Sequence, residues 1–350
     1  MARTAAVVGG GIGGLTTAVG LAARDWQVDV FERAVDLPGT GTALGLWPHA
    51  LQALDRIGLG EQVRAAGTAQ QGGALRRADG RRIAAIDTEQ LQRRTGDAVH
   101  LLTRPRLLRL LASAAPAVTF GTAVRSTREL SGYDVVVAAD GVGSALRAER
   151  FGPRYGPRYT GCTAWRGTVD GPCAELTETW GRGALFGMTP QEDRRTNWFA
   201  SARAPEGERA AAGEVIELRE RFAGFPERVR EVLARLTEDA VLRHDLYALA
   251  PAPPSYVRGE VALIGDAAHA MTPNAGRGAC EAIVDGVVLA ECLQDRRVAD
   301  GLARYDALRR GPAARVARMS RGMAALAMSR RLPGLRDAAV RTALRVAGPR

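Results

Sequence analysis

Thr4-Ala5-Ala6-Val7-Val8-Gly9-Gly10-Gly11-Ile12-Gly13-Gly14 is the stretch that decides the fold. The apolar run Ala5 to Val8 reads as a strand buried on both faces, and the glycines after it stand where a strand turns tightly into a helix. Working outward, residues 4–9 form a strand, 13–24 a helix, and 26–31, Trp26 to Phe31, a second strand. This is the opening β-α-β of a doubly wound sheet. Gly9, Gly11 and Gly14 have the G-x-G-x-x-G spacing, with Gly13 inside the same turn. Such glycines permit the turn, let the backbone approach a pyrophosphate and let helix and strand pack closely, while the helix N-terminus offers unpaired N–H groups to an anion. Glu32 ends the second strand, about 20 residues on, where a carboxylate accepts hydrogen bonds from a ribose, and Arg33 follows it. A dinucleotide is expected, of a kind the glycines alone do not specify.

Composition sets the bounds. The 350 residues are 46% hydrophobic and 25% charged, enough for one large or two medium globular domains. No apolar run approaches the roughly 18 residues that span a bilayer, and Met1-Ala2-Arg3-Thr4 lacks a secretory cleavage pattern. A soluble, cytoplasmic protein with no membrane partner is expected. Cys162, Cys173, Cys280 and Cys292 are too scattered for a disulfide framework and read as reduced thiols. All 48 basic residues are arginine, at a net charge of +10. The absence of lysine excludes Schiff-base chemistry. The densest arginines, Arg309, Arg310, Arg315, Arg318 and Arg321, have no interleaved aromatics to stack bases, so no nucleic-acid partner is expected.

Further buried strands at 134–139 and 261–264 lie far downstream, so the nucleotide domain is discontinuous. Between them run alternating, turn-punctuated segments: Gly73 to Asp87 with Asp79-Gly80 as a hairpin turn, then 160–169, 174–180, 183–189 and 195–203. The expected architecture is α/β. A Rossmann-like nucleotide domain comprises 1–70, 98–155 and 256–350, and carries an inserted antiparallel β-sheet domain of 71–97 and 156–255. From Leu302 onward Ala, Leu, Met and Arg recur at helical spacing, read as C-terminal helices packed on the nucleotide domain.

Two more motifs stand directly after buried strands, where α/β sheets place their ligands. They are Asp140-Gly141-Val142-Gly143-Ser144-Ala145-Leu146-Arg147 and Gly265-Asp266-Ala267-Ala268-His269, the second followed by Pro273-Asn274-Ala275-Gly276-Arg277-Gly278 and an apolar helix through Asp285. In this order, with Glu32, they resemble the class A FAD-dependent monooxygenases, the family of para-hydroxybenzoate and salicylate hydroxylases. The likeness runs through Leu44 to Ala50, Thr103-Arg104-Pro105-Arg106-Leu107 and Tyr159 to Gly167, the last most similar to the urate-hydroxylase and zeaxanthin-epoxidase branch.

The resemblance implies a non-covalent FAD cofactor. Gly9, Gly11 and Gly14 would cradle its pyrophosphate, Glu32 would hold the adenosine ribose, and Arg104 would lie along the flavin chain. Asp266 after Gly265 would bind the ribityl or pyrophosphate portion, and Asp140-Gly141 would serve FAD and a transient NAD(P)H co-substrate. Pro273, Gly276 and Gly278 would border the isoalloxazine ring. The implied reaction inserts one oxygen atom from O2 into an aromatic or other electron-rich small molecule through a C4a-hydroperoxyflavin, with no side-chain nucleophile. The sequence agrees, having no G-x-S-x-G elbow and no metal signature. A flavin oxidase or dehydrogenase and a redox-silent binding protein are the rival readings.

Arg277 stands where the family has glutamine, and either pairs with Glu281, four residues on, or places a cation beside the flavin. His269 reads as satisfying local backbone groups. His244 is a candidate to face the active site from the last strand of the inserted sheet. Trp165, Met188 and Phe199 are either core or substrate wall, with Arg166 on the face opposite Trp165.

Overall fold

The computed structural model describes residues 2–294, 297–330, 334, 336–338 and 340–342. The chain divides into two compact units, the first comprising Met1–Ala66, Thr103–Arg158 and Tyr247–Arg321, the second Gly67–Leu102, Tyr159–Leu246 and Gly322–Arg350. The described residues from Gly322 onward group with the second unit, whereas the sequence reading assigned 256–350 to the nucleotide domain.

In the first unit, β1 (Thr4–Val8), α1 (Ile12–Ala22) and β2 (Gln27–Phe31) lie within two residues of the expected bounds. They are followed by α2 (Arg104–Ala114), β3 (Val118–Thr119), β4 (Val135–Ala138), β5 (Val257–Arg258) and β6 (Val261–Leu263). The strands form one sheet in the order β5-β6-β4-β1-β2-β3. All its pairs are parallel except β5·β6. The unbroken apolar runs of β1 and β4 are what a central parallel strand requires, since it is covered on both faces. Ala5 to Val7, Val135 to Ala138 and Val261 to Ile264 are the buried centre of this core.

Two further helices bear on the site, α3 (Gly278–Cys292) and α4 (Val298–Ala327), of which the residues to Arg321 belong to this unit. α4 is a 30-residue helix with Pro312 inside it, and the described residues at 334, 336–338 and 340–342 are helical as well, so the expected C-terminal helices are present. The buried face of α4 is Leu302, Tyr305, Arg309, Ala313 and Ser320, at helical spacing. No described helix is long and apolar enough to cross a membrane.

The second unit is built on a seven-stranded sheet whose strands, in spatial order, are Leu242–Leu249, Pro157–Asp170, Arg195–Arg203, Ala184–Gln191, Leu176–Trp180, Gly73–Arg77 and Arg82–Ile86. Its neighbours pair antiparallel from Pro157–Asp170 through Leu176–Trp180, and again at the Asp79-Gly80 hairpin. Leu176–Trp180 and Gly73–Arg77 run parallel, a departure from the all-antiparallel expectation. One face packs Trp165, Phe186, Met188 and Trp198 under helices Glu214–Arg221 and Glu227–Ala234. Phe186 stacks on Trp198 at 5.7 Å and meets Phe222 edge-on at 5.5 Å. The opposite face carries Leu75, Cys162, Ala164, Trp180 and Leu185, with Ala327 and Met328 packed on them.

Candidate functional site

Register brings the three motifs together. Val8 pairs with Ala138, and Ala138 with Leu263, so β1, β4 and β6 end in one row. The turns after them, at Gly9, Asp140 and Gly265, consequently share one edge of the first unit's sheet. Gly9 adopts φ +114°, and a Cβ there would sit 2.3 Å from the Ala139 carbonyl oxygen. A Cβ on Gly14 would fall 1.9 Å from the Gly9 oxygen. Gly11 differs, because nothing lies within 4 Å of where its Cβ would be. The fold itself thus requires two of the three glycines, and the third faces open space. Gly11 also caps α1 without any side-chain hydrogen bond, leaving first-turn N–H groups for an anion. Gly13, on the same turn, faces Ala282 and Ile264 at 3.4 Å.

Glu32, at the end of β2, accepts the Gly10 N–H at 2.7 Å and the Ala34 N–H at 2.8 Å. Arg33 beside it is exposed. Asp140 accepts the Leu146 N–H through one oxygen at 3.2 Å, while its Oδ1 is buried with no hydrogen-bond partner. Asp266 is solvent-exposed, yet protein crowds it closely enough to raise its carboxyl pKa, against the charges of His269, Arg104 and Arg147. Exposure with dense surroundings is the situation of a crevice wall. Arg147, fully buried, donates to the carbonyls of Ala267 at 3.1 Å and Val142 at 2.6 Å, tying two of the turns together. Arg104, exposed at the start of α2, is near enough for Asp266 to feel its charge.

A buried ionic chain underlies these turns. Asp285, on α3, accepts the Gly265 N–H at 2.9 Å and the His269 Nε2 at 2.6 Å through one oxygen, and Arg309 Nε at 2.6 Å through the other. Arg309 continues to Glu281 Oε2 at 2.7 Å. His269 therefore engages a carboxylate rather than the backbone groups expected of it. Burial alone would neutralise these groups. Instead Asp285 raises the His269 pKa, and the charges of His269 and Arg309 lower that of Asp285. Burial likewise pushes Glu281 upward, but hydrogen bonds from His49 and Arg309 outweigh it and hold the carboxyl down to about 2.

The chain ends at the loop Pro273–Gly278. Gly276 closes it in a left-handed conformation, Gly278 opens α3, and Ser320 from α4 receives the Ala275 N–H at 3.2 Å. Arg277 takes the Glu281 pairing, at 3.2 Å. It also meets His49 Nε2 at 3.1 Å and lies over the Trp47 ring, 5.3 Å from its centroid.

In the second unit, Trp165 donates its Nε1–H to Glu214 at 2.6 Å, and with Met188 it belongs to the core beneath the helices. Phe199 projects from the opposite face and is partly buried. The three cannot all line one pocket. His244 is exposed on its strand. In the sequence Arg309 was read only as one of the clustered arginines, and Ser320 was not singled out. Their signal was a cation and a hydroxyl at the buried spacing of an otherwise apolar helix face.

The family described as FAD binding domain matches residues 2–160 and 133–320. The aurachin C monooxygenase/isomerase of Stigmatella aurantiaca is 35% identical over 327 residues, covering 87% of this chain and 85% of that protein. The FAD-dependent urate hydroxylase of Klebsiella oxytoca is 30% identical over 328 residues, covering 87% and 85%. The crystal structure of Klebsiella pneumoniae HpxO complexed with FAD and uric acid superposes with a TM-score of 0.86 at 26% identity, covering 98% of this chain and 92% of that one. The chain thus belongs to the FAD-binding domain family, among the class A flavoprotein monooxygenases.

Proposed function

We propose that the edge formed by Gly9, Asp140 and Gly265 holds FAD non-covalently, and that the enzyme uses NAD(P)H and O2 to place one oxygen atom on an aromatic small molecule. The observation that carries this is the open space at Gly11 above an uncapped helix N-terminus, beside the orphaned Asp140 Oδ1 and the crevice acid Asp266. A pyrophosphate fits the first, because backbone N–H groups and the helix dipole are already aimed there. Hydroxyl donors of ribose and ribityl fit the carboxylates of Glu32, Asp140 and Asp266. Bound flavin supplies two-electron redox chemistry and the activation of oxygen.

The protein's own part is to bind, orient and shield. Gly9, Gly11, Gly13 and Gly14 keep the backbone close to the diphosphate, with Arg104, and more peripherally Arg33, adding positive charge along the chain. Asp140-Gly141 also borders the path of a transient nicotinamide cofactor. Asp285 holds the Gly265-Asp266 turn rigid, and Pro273, Gly276 and Gly278 border the ring. Arg277 anchors their loop through Glu281 and His49. The aromatic substrate class follows from relatives that hydroxylate urate and 3-amino-4-hydroxybenzoate by name. A need for NAD(P)H supports a cytoplasmic location in this reading.

The purified protein should be yellow, and heat should release FAD, identified by chromatography. Under 18O2 the product of the right aromatic should carry one labelled atom, and NAD(P)H oxidation should be slow until that aromatic is added. Unlabelled product would assign the chain to an oxidase or dehydrogenase instead.

A further inference from the structure

On the face opposite its two helices, the sheet of the second unit carries a row that runs from Glu178 to Arg166. Glu178 pairs with Gly187, Gly187 with Phe199, and Phe199 with Arg166. Directly paired residues point to the same side of a sheet, so these four form one line across four strands. At about 4.8 Å per strand the line runs roughly 14 Å at the backbone. The gap at Gly187 is filled by Phe199, whose ring would stand 2.0 Å from a Cβ placed there, so the ring leans towards the strand of Glu178.

The neighbouring rows on this face differ in polarity. On one side Trp180, Leu185, Ser201 and Ala164 pair in turn, and three of them pack with Ala327 and Met328. On the other side lie Thr189, Asn197 and Thr168, where Asn197 donates to Thr189 at 2.9 Å. The Glu178 row is the border between a covered apolar strip and a polar one. Glu178 is half-buried, with one oxygen accepting the Trp180 Nε1–H and the other without a partner among the described residues. Crowding by protein raises the pKa of this carboxyl, against the hydrogen bond from Trp180.

We propose that Glu178 and Phe199 select the substrate: the Phe199 ring takes the flat face of an aromatic molecule, and the free Glu178 oxygen accepts a ring N–H or phenolic O–H from it. A substrate carboxylate would meet like charge at Glu178, so the Glu178 end of the row, three strands from Arg166, favours a hydrogen-bond donor over a carboxylate. This rests on the monooxygenase reading above. Glu178 is a specificity residue in this account and does no chemistry on the oxygen.

The test uses the FAD-loaded enzyme, with 4(1H)-quinolone and its 1-methyl derivative as probes, followed by calorimetric titration. Wild type should bind the N–H probe about tenfold tighter or more, the size of a charge-assisted hydrogen bond, and the preference should grow as pH rises and the carboxyl ionises. Glu178→Met should reduce the preference to within about twofold, Glu178→Gln should leave an intermediate one, and Phe199→Leu should weaken both probes alike. Equal binding of the probes by wild type, binding of neither, or a preference that survives Glu178→Met overturns the proposal. FAD content and 18O incorporation on the same preparation report separately on the monooxygenase reading.

Discussion

One oxygen of Asp285 holds both the Gly265 backbone N–H, at 2.9 Å, and the His269 ring, at 2.6 Å. A side chain on α3 thereby fixes the turn that presents Asp266. Because the other oxygen holds Arg309, replacing the carboxylate takes from buried His269 its ring acceptor and leaves buried Arg309 with Glu281 as its one remaining carboxylate partner. Asp285→Asn should cost about 3–5 kcal/mol of stability. Urea unfolding of the flavin-free protein measures this directly, and a loss below about 1 kcal/mol would show that the turn is held by other means.

Acid stability follows from Glu281. Its folded pKa, about 2, lies below the ordinary 4.5, so its contribution is complete above about pH 4.5 and is lost as pH falls towards 2. The shift corresponds to something on the order of 3 kcal/mol. His269 has the opposite sign: its raised pKa stabilises the fold at pH below the ordinary histidine range, and this is lost as pH rises through the folded value. Unfolding free energy measured across pH 2–5 should fall steeply for wild type and by about one proton less for Glu281→Gln. Parallel curves would remove Glu281 from the acid transition.

Glu32 already accepts two backbone N–H groups, yet a carboxylate has lone pairs left for ribose hydroxyls. Glu32→Ala should weaken FAD binding roughly ten- to a hundredfold, the 1.5–3 kcal/mol of a lost charge-assisted hydrogen bond. Fluorescence titration of flavin-free protein gives the ratio. An unchanged dissociation constant would take Glu32 out of the site.

Arg277 is paired to the buried Glu281 at 3.2 Å, and its charge is largely matched where it stands. An unpaired cation about 6 Å from the flavin would alter its potential by roughly 60 mV, but a compensated one should act as weakly as a distant charge. Arg277→Gln should accordingly shift the flavin potential by less than about 20 mV. The same substitution should weaken the anchoring of the Pro273–Gly278 loop and slow substrate-stimulated NAD(P)H oxidation. A potentiometric shift near 60 mV would assign the guanidinium an electronic role.

Sequence by itself determined the nucleotide half of this protein. The apolar runs at Ala5–Val8 and Val135–Ala138 specify strands buried on both faces, and the glycine turn and Glu32 follow from local backbone and hydrogen-bonding needs that no distant residue alters. Even the pairing of Arg277 with Glu281 was legible, since four residues is one helical turn. What only the tertiary structure decided concerns which side of an element faces what. Alternation put Trp165 and Arg166 on opposite faces, but both faces of the second sheet are apolar, so the pattern did not say which of them the helices cover. Hence Trp165 and Met188 went to the helix-covered core, and Phe199 to the face with Glu178. Arg309 was hidden in the same way among the arginines of its helix. Its burial is intelligible only once Asp285 and Glu281, more than twenty residues earlier, arrive to match its charge. A lone buried cation is forbidden by desolvation, and its partners come from another helix that local sequence does not reveal.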